Sequence, residues 1–120
     1  MAKQEPARRL VYSKTAPLAY TDTTAIKLFT LPRGAIPLRV TVFTEEASAS
    51  ATCDVGVYGD TDSLIEGLDV SSLGSNLGTL LDNDEREVPT DIYGRIANPT
   101  AGGDFVVTLE YSSVRTTRVV

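Results

Sequence analysis

The stretch that decides the fold is residues 38–58, which read LRVTVFTEEASASATCDVGVY. In its first half an apolar series alternates with an outward series: Leu38, Val40 and Val42 with Arg39, Thr41 and Phe43. In its second half the inward series is Ala49, Ala51, Cys53, Val55 and Val57. Successive side chains of a strand point to opposite faces, so each half predicts a strand that buries one face. Glu45 and Glu46 are costly to bury and place the connection between the halves in solvent.

The rest of the chain has the same character. Its 120 residues suffice for one domain with a single core. Nine Gly, six Pro and many Thr, Val and Ser favour strands and turns over helices. We therefore predict an all-β, single-domain antiparallel β-sandwich of six to eight strands, jelly-roll-like, over residues 10–120. Residues 1–9 have little to bury and are predicted to form a flexible N-terminal arm.

Several local predictions follow from turn and strand signals. Residues 15–24 are predicted to be a loop. Residues 59–78 are predicted to form an ordered loop with one helical turn, capped by Asp60 or Thr61, that turns Leu64 and Ile65 into the core. A short strand is predicted over residues 78–81.

The strongest turn signal is NPTAGGD at residues 98–104. The alternating runs on either side, residues 87–97 and 105–111, are predicted to pair as an antiparallel hairpin. In the first run Val88, Ile92 and Ile96 share the inward face. Residues 112–120 are polar and basic, which is typical of either an edge strand or a tail.

Composition also restricts the chemistry. The absence of histidine excludes Ser-His-Asp and Cys-His mechanisms, and nothing pairs two carboxylates across a cleft. The single cysteine, Cys53, lies on an inward series and is predicted to be a buried core residue. We assign no catalytic residue and no cofactor, and predict that the protein is not an enzyme.

Two acidic runs, Asp60-Thr61-Asp62 and Asp82-Asn83-Asp84, resemble the start of a calcium loop. An EF-hand requires Gly at its sixth and Glu at its twelfth position, and neither run has them. Capping and solvation account better for both runs, so no metal is assigned, although a calcium site of another type stays open.

Charge is distributed unevenly along the chain. Residues 45–91 hold twelve acids and one base, whereas the remainder holds four acids and ten bases. The basic residues near the ends include Arg8, Arg9, Arg115 and Arg118. They either meet an acidic partner or simply keep the chain soluble. Few bases and no aromatic-basic interleaving argue against nucleic acid, and no apolar run is long enough for a membrane helix.

Three apolar side chains are predicted to face outward: Phe43, Tyr93 and Val106. If their strands are neighbours, they form a contact face for another subunit; otherwise they are scattered exposed residues. Together with the four terminal arginines they are the candidate partner-binding residues.

The order of motifs resembles small virion proteins of tailed bacteriophages. The matching segments are AIKLFTLPRGA at residues 25–35, LRVTV at 38–42, CDVGVYGDTDSLI at 53–65 and GGDF at 102–105. They reproduce that group's sequence of a Leu-Pro-x-Gly-Ala turn, a strand, Asp-x-Gly, Asp-x-Asp-x-Leu-Ile and a late Gly-Gly strand. The resemblance covers about residues 24–110.

This resemblance implies a capsid decoration (cement) protein. Such proteins are often β-sandwich homotrimers on the outer head surface, where they bind the major capsid protein between capsomers and stabilise the shell. It implies a virion protein made in the host bacterial cytoplasm, with no small-molecule substrate and no catalytic residues to transfer. Two alternatives remain: another virion component (head fibre, tail or baseplate), and a carbohydrate-binding β-sandwich, which no aromatic cluster in a single loop supports.

Overall fold

The computed structural model describes residues 8–115, with side chains from residue 10 to residue 113. This range contains eight strands: β1 (Arg8–Ala19), β2 (Ile26–Leu31), β3 (Ile36–Glu46), β4 (Thr52–Val57), β5 (Asp60–Asp69), β6 (Gly74–Leu77), β7 (Thr90–Ala97) and β8 (Asp104–Arg115). Among these residues no helix has the length and apolarity that a membrane crossing needs.

The strands form two antiparallel four-stranded sheets. Sheet 1 has the order β1-β8-β3-β6, and sheet 2 has the order β2-β7-β4-β5. Every connection except that from β4 to β5 carries the chain from one sheet to the other. An eight-stranded double sheet with this strand order is a jelly roll. The predicted all-β sandwich is therefore confirmed.

The core lies between the sheets and is built from the alternating series of both. Sheet 1 contributes Val40, Val42, Phe105, Val107 and Leu109, and sheet 2 contributes Cys53, Val55, Leu64, Ile65, Ile92 and Ile96. All of these side chains are at most 1% exposed. Burial raises the pKa of the Cys53 thiol to about 12, so the sulfur stays protonated and unreactive at neutral pH. The prediction of a buried core cysteine is confirmed.

Leu38 is the exception among the strand residues of the stretch that decides the fold. It was predicted to face inward but is 47% exposed, while the preceding Pro37 is buried. The pairing of β3 with β8 shifts between Pro37 and Arg39. An extra residue at a bulge reverses the facing of its neighbours, and alternation alone does not locate it. Ala49 and Val88 are exposed for a different reason, since both lie outside the strands.

The predicted ordered loop over residues 59–78 is wrong. Residues 60–69 form β5, which pairs with β4, and residues 74–77 form β6. No helical turn follows Asp60. The short strand predicted over residues 78–81 is also wrong, because β6 ends at Leu77 and residues 78–81 are not strand. The prediction that Leu64 and Ile65 turn inward is confirmed. Pairing with β4 outweighs the weak strand preference of a segment rich in Asp, Ser and Gly.

The predicted hairpin around residues 98–104 is also wrong. β7 lies between β2 and β4 in sheet 2, whereas β8 lies between β1 and β3 in sheet 1. The turn crosses the roughly 10 Å between sheets, so the two runs pack face to face instead of pairing edge to edge. Turn residues indicate where the chain reverses but not which sheet it enters.

Both ends of the described chain are strands. β1 continues through Ala19, so a loop beginning at residue 15 is wrong. β8 reaches Arg115, so residues 112–115 are strand and not tail. Beyond Ser112 only β1 pairs with β8, so the predicted edge strand is confirmed for residues 113–115. Residues 1–7 of the predicted arm and residues 116–120 lie outside the described residues.

Candidate interaction surfaces

The outer face of sheet 1 carries a strip of uncharged side chains, which we call the outer band. Strand register places its members in two rows: Thr15, Thr108, Thr41 and Leu77, then Pro17, Val106, Phe43 and Ser75. Phe43 is 42% exposed and Leu77 is 65% exposed. Because β8 and β3 are central strands, hydrogen-bonded ladders on both sides hold the middle of the band.

Charged side chains border the outer band at both ends. Arg39 and Glu110 are cross-strand partners and form an ion pair of 3.7 Å at one end. At the other end Glu46 and Asp104 are cross-strand partners, and Glu45 is exposed beside them. A partner that covered the middle of the band would remove no charged side chain from water. The acidic end would help to orient such a partner.

Two of the three residues expected in an outward cluster, Phe43 and Val106, lie together on sheet 1. They are direct cross-strand partners on β3 and β8. Tyr93 does not join them, because β7 belongs to sheet 2 and its outward residues point away from sheet 1. The outer band is larger than the sequence indicated, since its threonines and Pro17 carry no outward apolar signal of their own.

The backbones of three of the four predicted basic residues lie at one end of sheet 1. Beyond the Ile36–Ser112 pair, β1 and β8 continue without β3, and their register pairs Arg8 with Arg115 and Arg9 with Val114. This pairing brings the backbones of three candidate arginines together. Their side chains lie outside the described residues, as does the whole of Arg118.

The outer face of sheet 2 carries two ion pairs. Lys27 Nζ lies 3.4 Å from Asp91 Oδ1, to which the Thr30 hydroxyl donates a hydrogen bond of 2.6 Å. The Thr30 hydrogen bond and the Lys27 charge hold the pKa of Asp91 below its usual value. Ionised at neutral pH, Asp91 is thus matched by its own neighbours.

A second ion pair on this face is partly buried. Arg95 Nε donates to Asp54 Oδ2 at 2.8 Å, and the Gly67 N–H donates to Asp54 Oδ1 at 2.7 Å. Asp54 is 8% exposed. Both of its oxygens have partners, which is the condition for keeping a carboxylate in such a place.

Beside this pair a cleft of about 480 Å³ opens at the β4–β5 turn, and we call it the tyrosine cleft. Tyr58, in the turn, is 82% exposed, and its ring meets that of Tyr93 edge to face, with centroids 5.6 Å apart. Asp60, Asp62 and Arg95 also line it. The hydrogen bond and the charge of Asp62 raise the pKa of Asp60.

Gly56 allows the cleft to form. A side chain there would collide with the backbone carbonyl of Asp60 and with the backbone N–H of Ser63. The start of β5 can therefore approach β4 this closely only because residue 56 is a glycine. The Ser63 hydroxyl accepts the Val57 N–H at 3.2 Å and holds the start of β5. The cleft was not predicted from the sequence, because residues 59–78 were expected to form a loop and no single loop contains an aromatic cluster.

The second acidic run is closed by its own contacts. Asp82 Oδ1 accepts the Asp84 N–H at 2.8 Å, and Asp82 Oδ2 pairs with Arg86 at 3.0 Å. These contacts hold the pKa of Asp82 below its usual value. Within residues 10–113, no group of three or more His, Cys, Asp or Glu side chains is arranged to hold a metal ion.

Comparison with known proteins identifies solved structures only: no family model and no curated protein matches this chain. One similar chain is in the cyanophage Pam1 capsid asymmetric unit, with a TM-score of 0.68, 24% identity, and coverage of 86% of this chain and 84% of that chain. Another is in the acidic stable capsid structure of Helicobacter pylori bacteriophage KHP30, with a TM-score of 0.69, 16% identity, and coverage of 94% and 99%. Both are bacteriophage capsid structures. At these identities the likeness shows a shared fold.

Proposed function

We propose that this protein is a non-enzymatic structural component of a bacteriophage virion, and that it is a capsid decoration protein. The observation that carries the proposal is the fold shared along most of the chain with chains of two phage capsid structures. The motif resemblance to phage virion proteins, which rests on the residues themselves, supports the same conclusion.

The outer band is the surface that we propose contacts the major capsid protein. It is uncharged and its middle is held on central strands, so docking costs little conformational entropy and no charge desolvation in its middle. Phe43 is the aromatic anchor of the band, and aromatic side chains are enriched among residues that carry binding energy. Many copies on a symmetric shell make weak individual contacts sufficient.

We further propose that the basic end of the β1–β8 ribbon and residues 1–9 make a second contact with an acidic part of the shell, and that the protein assembles as a homotrimer on the outer head surface. Arg8 and Arg9 begin β1, and among residues 10–19 of that strand the first buried one is Ala16. Removing residues 1–9 therefore leaves the core intact and weakens only the shell contact.

Co-sedimentation with phage particles tests this function. Purified protein is mixed in separate tubes with tailless expanded heads and with isolated tails, and the bound protein is measured in each pellet. The proposal expects saturable binding to heads at a fixed ratio to the major capsid protein and none to tails. Binding to tails alone assigns the protein to a tail or fibre, and binding to neither contradicts a virion role.

A further inference from the structure

We propose that the tyrosine cleft is a saccharide-binding site that faces away from the outer band. This role goes beyond shell stabilisation, since it gives the protein a ligand of its own. The supporting observations are one exposed aromatic ring, a mixture of hydrogen-bond donors and acceptors, and the position of the cleft on the outer face of sheet 2.

The ring of Tyr58 is a platform without a cover. It is 82% exposed, and Tyr93 touches it edge to face, with an angle of 60° between the ring planes. Such a contact restrains the orientation of Tyr58 and occupies at most one of its two ring faces, so at least one face stays open to solvent. A pyranose ring presents a face of C–H groups that fits such a platform, whereas burial of an apolar chain requires more enclosing walls than this cleft has.

The polar groups around Tyr58 fit a neutral polyhydroxyl guest. Asp60 and Asp62 supply carboxyl oxygens that accept hydrogen bonds from hydroxyl groups. Arg95 supplies N–H donors, since among the described residues only its Nε is engaged, by Asp54. Hydroxyl groups both donate and accept, so one guest satisfies both kinds of group.

A basic side chain of a partner protein is the main competing guest. Two carboxyls beside an aromatic ring attract a cation. However, Arg95 also lines the cleft, and its N–H groups not engaged by Asp54 require acceptors that an ammonium or guanidinium group does not have. The combination of donors and acceptors in the cleft therefore favours a saccharide over a lysine or arginine side chain.

The position of the cleft keeps it available. Tyr93 and Arg95 point outward from sheet 2, and Phe43 and Val106 point outward from sheet 1, so the two surfaces lie on opposite sides of the sandwich. A protein that docks through its outer band leaves the tyrosine cleft facing solvent. The cleft can then hold a polysaccharide while the other face is occupied.

The test is an NMR titration of the ¹⁵N-labelled full-length protein with cello-, malto-, chito- and manno-trioses, and with N-acetyl-arginine amide as the cationic probe. We expect saturable shifts with at least one triose, confined to Tyr58, residues 60–62 and the neighbourhood of Tyr93. Tyr58→Ala should weaken binding about tenfold. Tyr20→Ala removes a surface tyrosine, 37% exposed, that does not line the cleft, and it should leave binding unchanged.

Several results would overturn the proposal. These are no saturable shift with any triose, shifts of equal size in the Tyr58→Ala variant, or binding of the cationic probe alone, which would assign the cleft to a basic side chain. Because the free protein is used, the outcome is separate from head binding: saccharide binding can succeed where co-sedimentation fails, and the reverse.

Discussion

The two sheets share one core but present opposite kinds of outer surface. Sheet 1 shows an uncharged band of threonines with Phe43, Val106 and Leu77. Sheet 2 shows ion pairs whose members already satisfy each other, as in Arg95–Asp54. An uncharged strip on rigid strands is suited to exclude water against another protein, whereas a self-paired charged face is suited to remain in water. We therefore infer that sheet 1 is the docking side of the proposed capsid contact and that sheet 2 is the solvent side.

The largest expected effect is a difference in stability between the two faces of sheet 1, one in the core and the other outward. Phe105 and Phe43 both lie in sheet 1, but Phe105 is 1% exposed and Phe43 is 42% exposed. Phe105→Ala should lower the free energy of unfolding by about 4 kcal/mol, because it opens a cavity between the sheets. Phe43→Ala should cost less than about 1 kcal/mol. Urea unfolding measures both, and equal losses would mean that Phe43 is a core residue.

The next effect separates the ion pairs of the two faces. Asp54→Ala should cost about 2 kcal/mol, since it leaves the Gly67 N–H unpaired and Arg95 without its partner. The matched change on sheet 1, Glu110→Ala, breaks an exposed 3.7 Å pair and should alter stability by no more than about 0.5 kcal/mol. The same urea experiment compares them, and a harmless Asp54→Ala would remove the case for a structurally paired sheet 2.

A smaller effect concerns binding. Phe43→Ala should weaken binding to expanded heads about tenfold, through loss of a central aromatic contact. Tyr58→Ala removes a more exposed aromatic from the other face and should bind heads as the wild type does. Titrated co-sedimentation measures both affinities. A reversal, with Tyr58→Ala the weaker binder, would exchange the roles of the two faces.

The smallest effect expected is a change in acid sensitivity on sheet 2. The pKa of Asp91 is lowered from 3.8, chiefly by the Thr30 hydrogen bond, so its contribution is present above pH 3.8 and is lost as the pH falls through its folded value. Asp91→Asn should therefore reduce the loss of stability on acidification, and Thr30→Val should do much the same. Urea midpoints at neutral and acidic pH measure this loss of stability on acidification. Unchanged acid sensitivity in both variants would contradict the pairing of Asp91 with its neighbours.

The alternation in the sequence predicted the core well because burial on one face imposes a period of two. Val40, Val42, Cys53 and Val55 all face inward as expected. Leu38 does not, since a bulge inserts one residue and the sequence carries no mark of it. The error at β5 has another cause: its polar residues form a strand because β4 offers hydrogen-bonding partners, which is information from outside the segment.

The candidate surfaces were predicted less completely than the core. Phe43 and Val106 were found because outward apolar residues stand out on an alternating strand. Their separation from Tyr93 depends on which sheet each strand joins, and local turn signals do not carry that. Tyr58 and Tyr93 are in contact although they lie 35 positions apart, one in the β4–β5 turn and the other in β7. No single stretch of sequence could therefore predict this contact.

The most direct test of the two-faced account is hydroxyl-radical footprinting of the protein bound to expanded heads, compared with the free protein. Phe43 and Tyr58 are both exposed aromatic side chains, so each reports on its own face. The account predicts that binding protects Phe43 and leaves the oxidation of Tyr58 unchanged. Protection of Tyr58 with no change at Phe43 would contradict it, because sheet 2 would then face the shell.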